Sequence, residues 1–235
     1  MDIAKIAALL DPFLEHSLPP SVLEQISIYI DLLLRWNARI NLTAIRRPEE
    51  IVTRHFGESF FLARHLFPAA STPCHPERSH VIREADGAAE SKDPCSLPLR
   101  VLDIGSGAGF PALPLKMWAP QIHLTMIESN HKKATFLREV ARALTLTDVN
   151  VITDRAEVLA ARPDSPRAEL VTLRAVEHFQ AILPQAVTFL APNGALAVLI
   201  GIAQVPTLTT LTTLQWHQPI PIPQSRTRVL SIGVP

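Results

Sequence analysis

The sequence is poor in several features, and each scarcity excludes a class of protein. Only two of its 235 residues are cysteines. Cys74 and Cys95 lie in a polar, proline-containing stretch without metal-ligand spacing, which argues against a disulfide framework or a zinc site. The longest apolar run, Ala195 to Ala203, is too short to cross a bilayer, and the first residues lack the layout of a signal peptide. We therefore expect a cytoplasmic protein without a membrane segment or a metal, and we favour a monomer.

Net charge is also missing, because 22 basic residues balance 22 acidic ones. A polyanionic partner would have to be bound by a local basic patch, since there is no overall positive field. Hydrophobic residues make up 47% of the chain, an ordinary share for a globular protein. The length suits one substantial domain with a small extension.

The chain divides into three parts by pattern. Residues 1–68 show helical spacing of apolar side chains, and Pro48 is placed to open a helix that runs to about Leu66. Residues 69–98 lose this periodicity and are rich in small, charged and proline residues, so we expect a poorly ordered insertion there. Residues 99–235 form the third part.

Strand and helix patterns alternate in residues 99–235. The apolar, β-rich runs are RVLDI, HLTMIE, VNVIT, ELVTL and GALAVLI, and helical segments separate most of them. This alternation predicts an α/β fold with a mostly parallel, doubly wound sheet. The tail QWHQPIPIPQSRTRVLSIG suggests two further strands, an antiparallel pair at the sheet edge.

The first strand runs into a glycine loop, VLDIGSGAGF. Gly105, Gly107 and Gly109 follow the strand at its carboxyl end, where open α/β sheets bind ligands. A dinucleotide fold uses G-x-G-x-x-G, but here the third glycine comes one residue early and Phe110 follows it. The loop also lacks the lysine and hydroxyl residues of a phosphate loop. A turn with a purely structural role is the alternative.

Two acidic residues make the loop more informative. Glu128 ends the second strand, where a carboxylate can accept both hydroxyls of a ribose. Asp103 lies at the end of the first strand, where it could accept from loop amides or face a cationic ligand group. A glycine loop without phosphate chemistry, a ribose acid and a nearby carboxylate favour S-adenosylmethionine over a nicotinamide or flavin cofactor.

The next two strands end in further candidates. Ala156 and Glu157 follow the third strand and could line an adenine pocket, although a plain helix start explains them equally well. Arg174 ends the fourth strand, where methyl transfer would take place. A surface arginine with its stem packed over the sheet is the alternative.

Five ordered segments resemble one family. VLDIGSGAGFPALPLK, IESNHKKATFLREV, DRAEVL, LRAVEHF and the upstream WNARINLTAIRRPEEIVTRHFGESF are similar to the bacterial 16S ribosomal RNA guanine-N7 methyltransferases, also called glucose-inhibited division protein B or RsmG. The resemblance implies a class I, Rossmann-like S-adenosylmethionine-dependent methyltransferase with a seven-stranded sheet and an N-terminal helical extension. It also implies methylation of the guanine at position 527 of 16S rRNA, with the rRNA or the small ribosomal subunit as partner.

Matching the motifs assigns roles to individual residues. The resemblance implies cofactor contacts by Gly105 and Phe110, by Ala156 and Glu157 on the adenine side, and by Arg174. We expect Arg174 to position cofactor and base, because N7 has a lone pair and needs no general base. Glu128 stands where the family usually has Asp, and Glu58 replaces the acidic residue of a His-x-x-Asp-Ser segment.

The departures concern Ala112, which replaces the family's usual Gly, and Ile200, which replaces a usual Lys. The missing lysine removes a plausible RNA contact. The candidate RNA-binding residues are Lys132, Lys133, Arg138, Arg142, Arg46 and Arg47. Solvated helix faces explain these charges as well. A small-molecule methyltransferase, a nicotinamide-dependent oxidoreductase and a non-catalytic ribosome-associated protein stay open as alternatives.

Overall fold

The structure is a computed structural model, which describes residues 1–67, 99–175 and 178–235. The predicted insertion of residues 69–98 lies outside the described residues. N-terminal helices pack against one face of a mixed sheet, and shorter helices cover both of its faces. The predicted α/β class is confirmed.

Residues 3–66 are mostly helical, as their periodicity predicted. The helices are α1 (Ile3–Leu10), α2 (Pro20–Asn37), α3 (Pro48–Ile51) and α4 (Glu58–Leu66). Pro48 does open a helix, but its central turn, Val52–Gly57, is π-helical and joins α3 to α4. Single π turns inside helices are frequent at functional sites.

Among the described residues the sheet has eight strands, one more than the seven expected. They are β1 (Arg100–Ile104), β2 (His123–Ile127), β3 (Val149–Ile152), β4 (Ala168–Arg174), β5 (Leu190–Gly201), β6 (Gln215–Trp216), β7 (Ile220–Pro221) and β8 (Arg228–Val234). The order is β3-β2-β1-β4-β5-β8-β6, and β7 also pairs with β8. The first five strands are parallel and β8 is antiparallel to β5.

The extra strand comes from the tail. Two short strands were predicted to form there, but β8 pairs with both β6 and β7 along its length. Prolines at 219, 221 and 223 cannot donate to a ladder, so the segment before β8 pairs in two pieces of two residues each.

Five helices connect the strands. They are α5 (Ala112–Trp118), α6 (His131–Ala143), α7 (Ala156–Ala160), α8 (Phe179–Thr188) and α9 (Val205–Leu211). Asn130 caps α6 by accepting from the backbone amides of Lys132 and Lys133. The helix α9 had not been predicted.

The N-terminal helices share a hydrophobic core with the sheet. Phe56 is fully buried, and its ring lies 5.2 Å from that of Tyr29 and 5.0 Å from that of Phe110. The same core contains Val101 of β1 and Phe136 of α6, whereas Leu102 and Ile104 point into a second core on the other face. The shared core holds the N-terminal helices against the glycine loop.

Candidate functional site

A cavity of about 770 Å³ opens at the carboxyl edge of the parallel strands. It lies where the strand order reverses between β1 and β4, the place where open α/β sheets bind their ligands. The ends of β1, β2 and β4, the start of α7 and residues from the N-terminal helices form its wall. The predicted ligand edge is therefore where the structure has its cavity.

The glycine loop forms one side of the cavity, and its glycines differ in purpose. Gly105 and Gly107 line the cavity and have φ values of 68° and 54°, which favour glycine. Gly109, with φ 86°, is not among the lining residues. A Cβ at this position would meet the Leu113 side chain at 2.6 Å and also strike the Tyr29 hydroxyl. The early third glycine thus allows close packing against α2.

Glu128 lines the cavity and holds the loop in place. Its Oε2 accepts from the Gly107 amide at 2.8 Å, and its Oε1 accepts from the Asn130 amide at 2.8 Å. The residue is only 6% exposed. A carboxylate oxygen can accept two hydrogen bonds, so each oxygen keeps one acceptor position for a ligand hydroxyl.

Asp103 lies behind the loop and is not among the residues that line the cavity. Its Oδ1 accepts from the Thr172 hydroxyl at 2.6 Å, and its buried Oδ2 has no partner among the described residues. Burial raises the pKa of this carboxyl to about 7, although the hydrogen bond from Thr172 and the charge of Arg174 oppose the increase.

The far end of the cavity is formed after β3. Ala156 and Glu157 both line it, together with Asp154 and Arg155. Ala156 is buried, whereas Glu157 is exposed and lies 3.6 Å from the Arg155 guanidinium.

Arg174 lines the cavity at the end of β4, and its side chain is 8% exposed. Its guanidinium donates to Glu58 Oε2 from Nε at 3.3 Å and from Nη2 at 3.1 Å. Nη2 also donates to the Arg54 carbonyl at 2.7 Å. Arg174 is therefore held by the N-terminal helices, a contact that the sequence patterns did not indicate.

Glu58 is the centre of a charge cluster. Besides Arg174, the guanidinium of Arg228 lies 3.0 Å from its carboxylate and that of Arg54 lies 3.6 Å away. Three guanidinium charges against one carboxylate leave an excess of positive charge in this cluster, and Arg174 is its member that lines the cavity. Such an excess attracts anionic groups.

Two further lining residues, Thr43 and His55, come from the N-terminal part and had no predicted role. The His55 ring stacks on Phe110, with 4.6 Å between ring centres and 16° between planes. Asn37 shapes the loop that contains Thr43, because its side chain forms hydrogen bonds with the backbone of Leu42 and Thr43. The only signal in the sequence was the family resemblance of the NARINLTAIRR and HFGES stretches.

The six candidate RNA-binding residues occupy different surroundings. Lys133 lines the cavity and Lys132 is exposed beside it. Arg138 donates to the Val151 carbonyl and the Thr153 hydroxyl, both at 2.8 Å, and so ties α6 to β3. Arg142, Arg46 and Arg47 are exposed, and Arg47 lies 3.9 Å from Glu50.

Two classes of feature are missing from the part of the chain that the structure describes. Residues 1–67, 99–175 and 178–235 contain no group of three or more histidine, cysteine, aspartate or glutamate side chains that could hold a metal ion. Within the same ranges, every helix is too short or too polar to cross a membrane.

Known proteins share both the sequence and the fold. The chain is 37% identical to the ribosomal RNA small subunit methyltransferase G of Roseiflexus castenholzii over 181 residues, which cover 74% of this chain and 65% of that protein. It is 32% identical to the protein of that name from Bacillus subtilis over 185 residues, which cover 78% of this chain and 66% of the relative. The chain thus spans slightly less than two thirds of these relatives' length.

A solved structure resembles the fold. The mitomycin 7-O-methyltransferase MmcR matches with a TM-score of 0.50 and 16% identity, over 59% of this chain and 49% of that one. The predicted Rossmann-like class is confirmed by this likeness together with the sheet order. A family model described as rRNA small subunit methyltransferase G matches residues 22–72 and 79–215. The chain belongs to the rRNA small subunit methyltransferase G family.

Proposed function

We propose that this protein transfers a methyl group from S-adenosylmethionine to N7 of a guanine in 16S rRNA, the guanine at position 527. The observation that favours this most is the cavity at the switch point, where the glycine loop and Glu128 meet residues of the N-terminal helices. Relatives named as ribosomal RNA small subunit methyltransferases support the substrate class. The site of action would be the cytoplasm, where the rRNA is.

The residues present fit an adenosyl ligand. Glu128 keeps an acceptor position on each oxygen for two ribose hydroxyls, and Gly105 and Gly107 let the backbone approach a ligand closely. Ala156 offers a small side chain toward an adenine ring. Asp103, which lies behind the loop, would act on the ligand through the loop it supports.

The chemistry needs positioning more than proton transfer. S-adenosylmethionine supplies a methyl group on a positively charged sulfur. The in-plane lone pair of guanine N7 forms the new N–C bond, the electron pair of the broken S–C bond stays on sulfur, and the positive charge passes to the base. No proton has to leave N7 first, so no general base is required.

The protein's part is to hold the reacting atoms in line, an effect that can be worth ~7–11 kcal/mol at best. Arg174 is suited to this because Glu58 and the Arg54 carbonyl fix its guanidinium at the cavity wall. We expect Lys133 and Lys132, beside the cavity, to contact phosphates of the RNA, together with the exposed Arg46, Arg47 and Arg142. Arg138 would contribute less, since its guanidinium already bonds β3 and the residue after it.

The decisive experiment measures transfer of a labelled methyl group to 16S rRNA and to purified small subunits, followed by mapping of the modified base. We expect the label on one guanine, at position 527, and no further incorporation of label once that guanine is methylated. Label on a small molecule alone, or calorimetric binding of a nicotinamide dinucleotide in preference to S-adenosylmethionine, would contradict the proposal. A Glu128→Ala variant is the matched control and should lose cofactor binding.

A further inference from the structure

One ring nitrogen of His55 is buried in the cavity wall without a partner. The residue is 6% exposed and lines the cavity, and its Nδ1 has no hydrogen-bond partner among the described residues. Leaving a buried polar atom unpaired costs about 1–3 kcal/mol. An atom kept in this state beside a cavity points to a ligand that completes its hydrogen bonding.

The neighbours of His55 decide which nitrogen has the proton. His55 Nε2 lies 2.8 Å from the Thr43 hydroxyl oxygen, which itself accepts from the Ile45 amide at 3.1 Å. Among the described residues, the Thr43 hydroxyl proton has only His55 Nε2 as an acceptor. With Nε2 as the acceptor of this proton, the neutral ring has its own proton on Nδ1.

The surroundings keep the ring neutral. Burial lowers the pKa of His55 well below its usual value, and the positive charges of Arg174, Arg54 and Arg228 lower it further. Stacking on Phe110, which itself stacks on Tyr29 at 5.2 Å, fixes the ring plane. The ring plane is thus fixed, with Nδ1 buried in the wall of the cavity.

We propose that His55 is a specificity-determining residue whose Nδ1–H donates a hydrogen bond to O6 of the target guanine. The inference rests on the proposed function, because it names how the same cavity selects its base. Guanine presents N7 and O6 as adjacent acceptors on one edge, whereas adenine presents N7 beside an amino group. An N–H donor that faces the position of O6 can form a hydrogen bond with guanine. With adenine, the same N–H would face the amino group, which is also a donor, so no hydrogen bond would form.

The test is a double-mutant cycle between the protein and the RNA. Small subunits are reconstituted on 16S rRNA with either guanine or 2-aminopurine at the target position, since 2-aminopurine keeps N7 but lacks O6. Single-turnover methylation is measured for the wild type and for His55→Phe, which keeps a ring against Phe110 and removes the donor. His123→Phe, at the exposed amino end of β2, is the control.

Replacing guanine by 2-aminopurine should slow methylation by the wild type roughly 10- to 100-fold more than it slows methylation by His55→Phe. The reason is that a buried donor is left unpaired only in the wild type. His55→Asn, whose amide can place a donor near the Nδ1 position, should recover part of the discrimination. S-adenosylmethionine affinity and melting temperature should change little in His55→Phe.

Other outcomes separate the two proposals. An equal penalty for 2-aminopurine in wild type and His55→Phe, while guanine is still methylated, would overturn the role of His55 alone. A large loss of S-adenosylmethionine affinity in His55→Phe would also overturn it, because the nitrogen would then serve the cofactor. Absence of any transfer to rRNA by the wild type would overturn the proposed function.

Discussion

Asp103 was predicted to contact the loop amides or a ligand, and in the structure it lies behind the glycine loop, outside the residues that line the cavity. The sequence puts it at the end of a buried strand, one residue before Ile104 and two before Gly105. From strand alternation alone, the Asp103 side chain could lie toward the loop or inside the sheet. Its position is fixed by the hydrogen bond from Thr172 on the neighbouring strand β4. Glu128 could be predicted better, because it follows its strand and the cavity edge begins there.

The buried carboxyl of Asp103 makes stability depend on pH. Its pKa is raised from an ordinary 3.8 to about 7, so between these values the folded state binds the proton more tightly than the unfolded state. Its contribution to stability is therefore full below about pH 3.8 and is lost as the pH rises toward 7.

We predict that Asp103→Asn removes this dependence. Between pH 5 and pH 8 the free energy of unfolding should fall by about 2–3 kcal/mol more in the wild type than in the variant. Denaturant unfolding at several pH values measures the difference. Parallel curves for the two proteins would mean that Asp103 is ionised in the fold throughout this range.

His55 and Gly109 mark the limit of prediction at the same scale. Nothing in the spacing of apolar residues says that His55, in the π-helical turn between α3 and α4, reaches the cavity, because the contact depends on how that turn rotates the helix. The glycine at 109 resembles a ligand-binding glycine, yet its surroundings are Tyr29 and Leu113. The surroundings of His55 and of Gly109 are both set by contacts between segments that are distant in the sequence.

At the scale of elements, the main feature that the sequence did not predict is the link between α4, β4 and β8. Glu58, at the first position of α4, joins Arg174 at the end of β4 and Arg228 at the start of β8. Its side chain is 2% exposed, so the ion pairs are shielded from solvent. Strand and helix boundaries were largely predictable from periodicity, since β1 spans the predicted RVLDI run.

The Glu58 cluster allows a role of Arg174 in the proposed methyl transfer to be tested separately from its role in stability. Arg174 and Arg228 both contact Glu58, but only Arg174 is among the residues that line the cavity. Arg174→Met and Arg228→Met should each lower the free energy of unfolding by about 1–3 kcal/mol. The loss stays below the ~3–5 kcal/mol of a fully broken pair, because Glu58 keeps two other arginines.

We predict that only Arg174→Met slows single-turnover methyl transfer strongly, roughly a hundredfold, because misplaced reacting groups cost about that much. The two variants are compared at saturating S-adenosylmethionine, together with their melting temperatures. Equal rates would reduce Arg174 to a packing role over the sheet.

For the molecule as a whole, the balanced charge means that the proposed binding of RNA would depend on local basic patches. The chain has 22 basic and 22 acidic residues, yet Lys132 and Lys133 stand together at the start of α6 beside the cavity. Their backbone amides are bonded by the Asn130 cap, which fixes both lysines in the first turn of α6.

Reversing both charges, Lys132→Glu with Lys133→Glu, should weaken binding to 16S rRNA and reduce the slope of log affinity against log salt by about 1.4–1.8. Arg100→Glu with Arg167→Glu, at the amino edge of the sheet, is the charge-matched control and should leave the slope nearly unchanged. Filter binding over a range of salt concentrations measures both. Identical slopes would mean that the two lysines only keep α6 solvated.

The bond between Tyr29 and the glycine loop restricts how this molecule can evolve. The Tyr29 hydroxyl donates to the Ala108 carbonyl at 2.6 Å, and any side chain at 109 would collide with it. Because Gly109 also has a φ of 86° and a Cβ there would lie 2.6 Å from Leu113, a smaller residue at position 29, 80 residues earlier in the chain, would not by itself make room for a side chain at 109. In descendants of this sequence, we therefore expect glycine to persist at position 109 whichever residue occupies position 29.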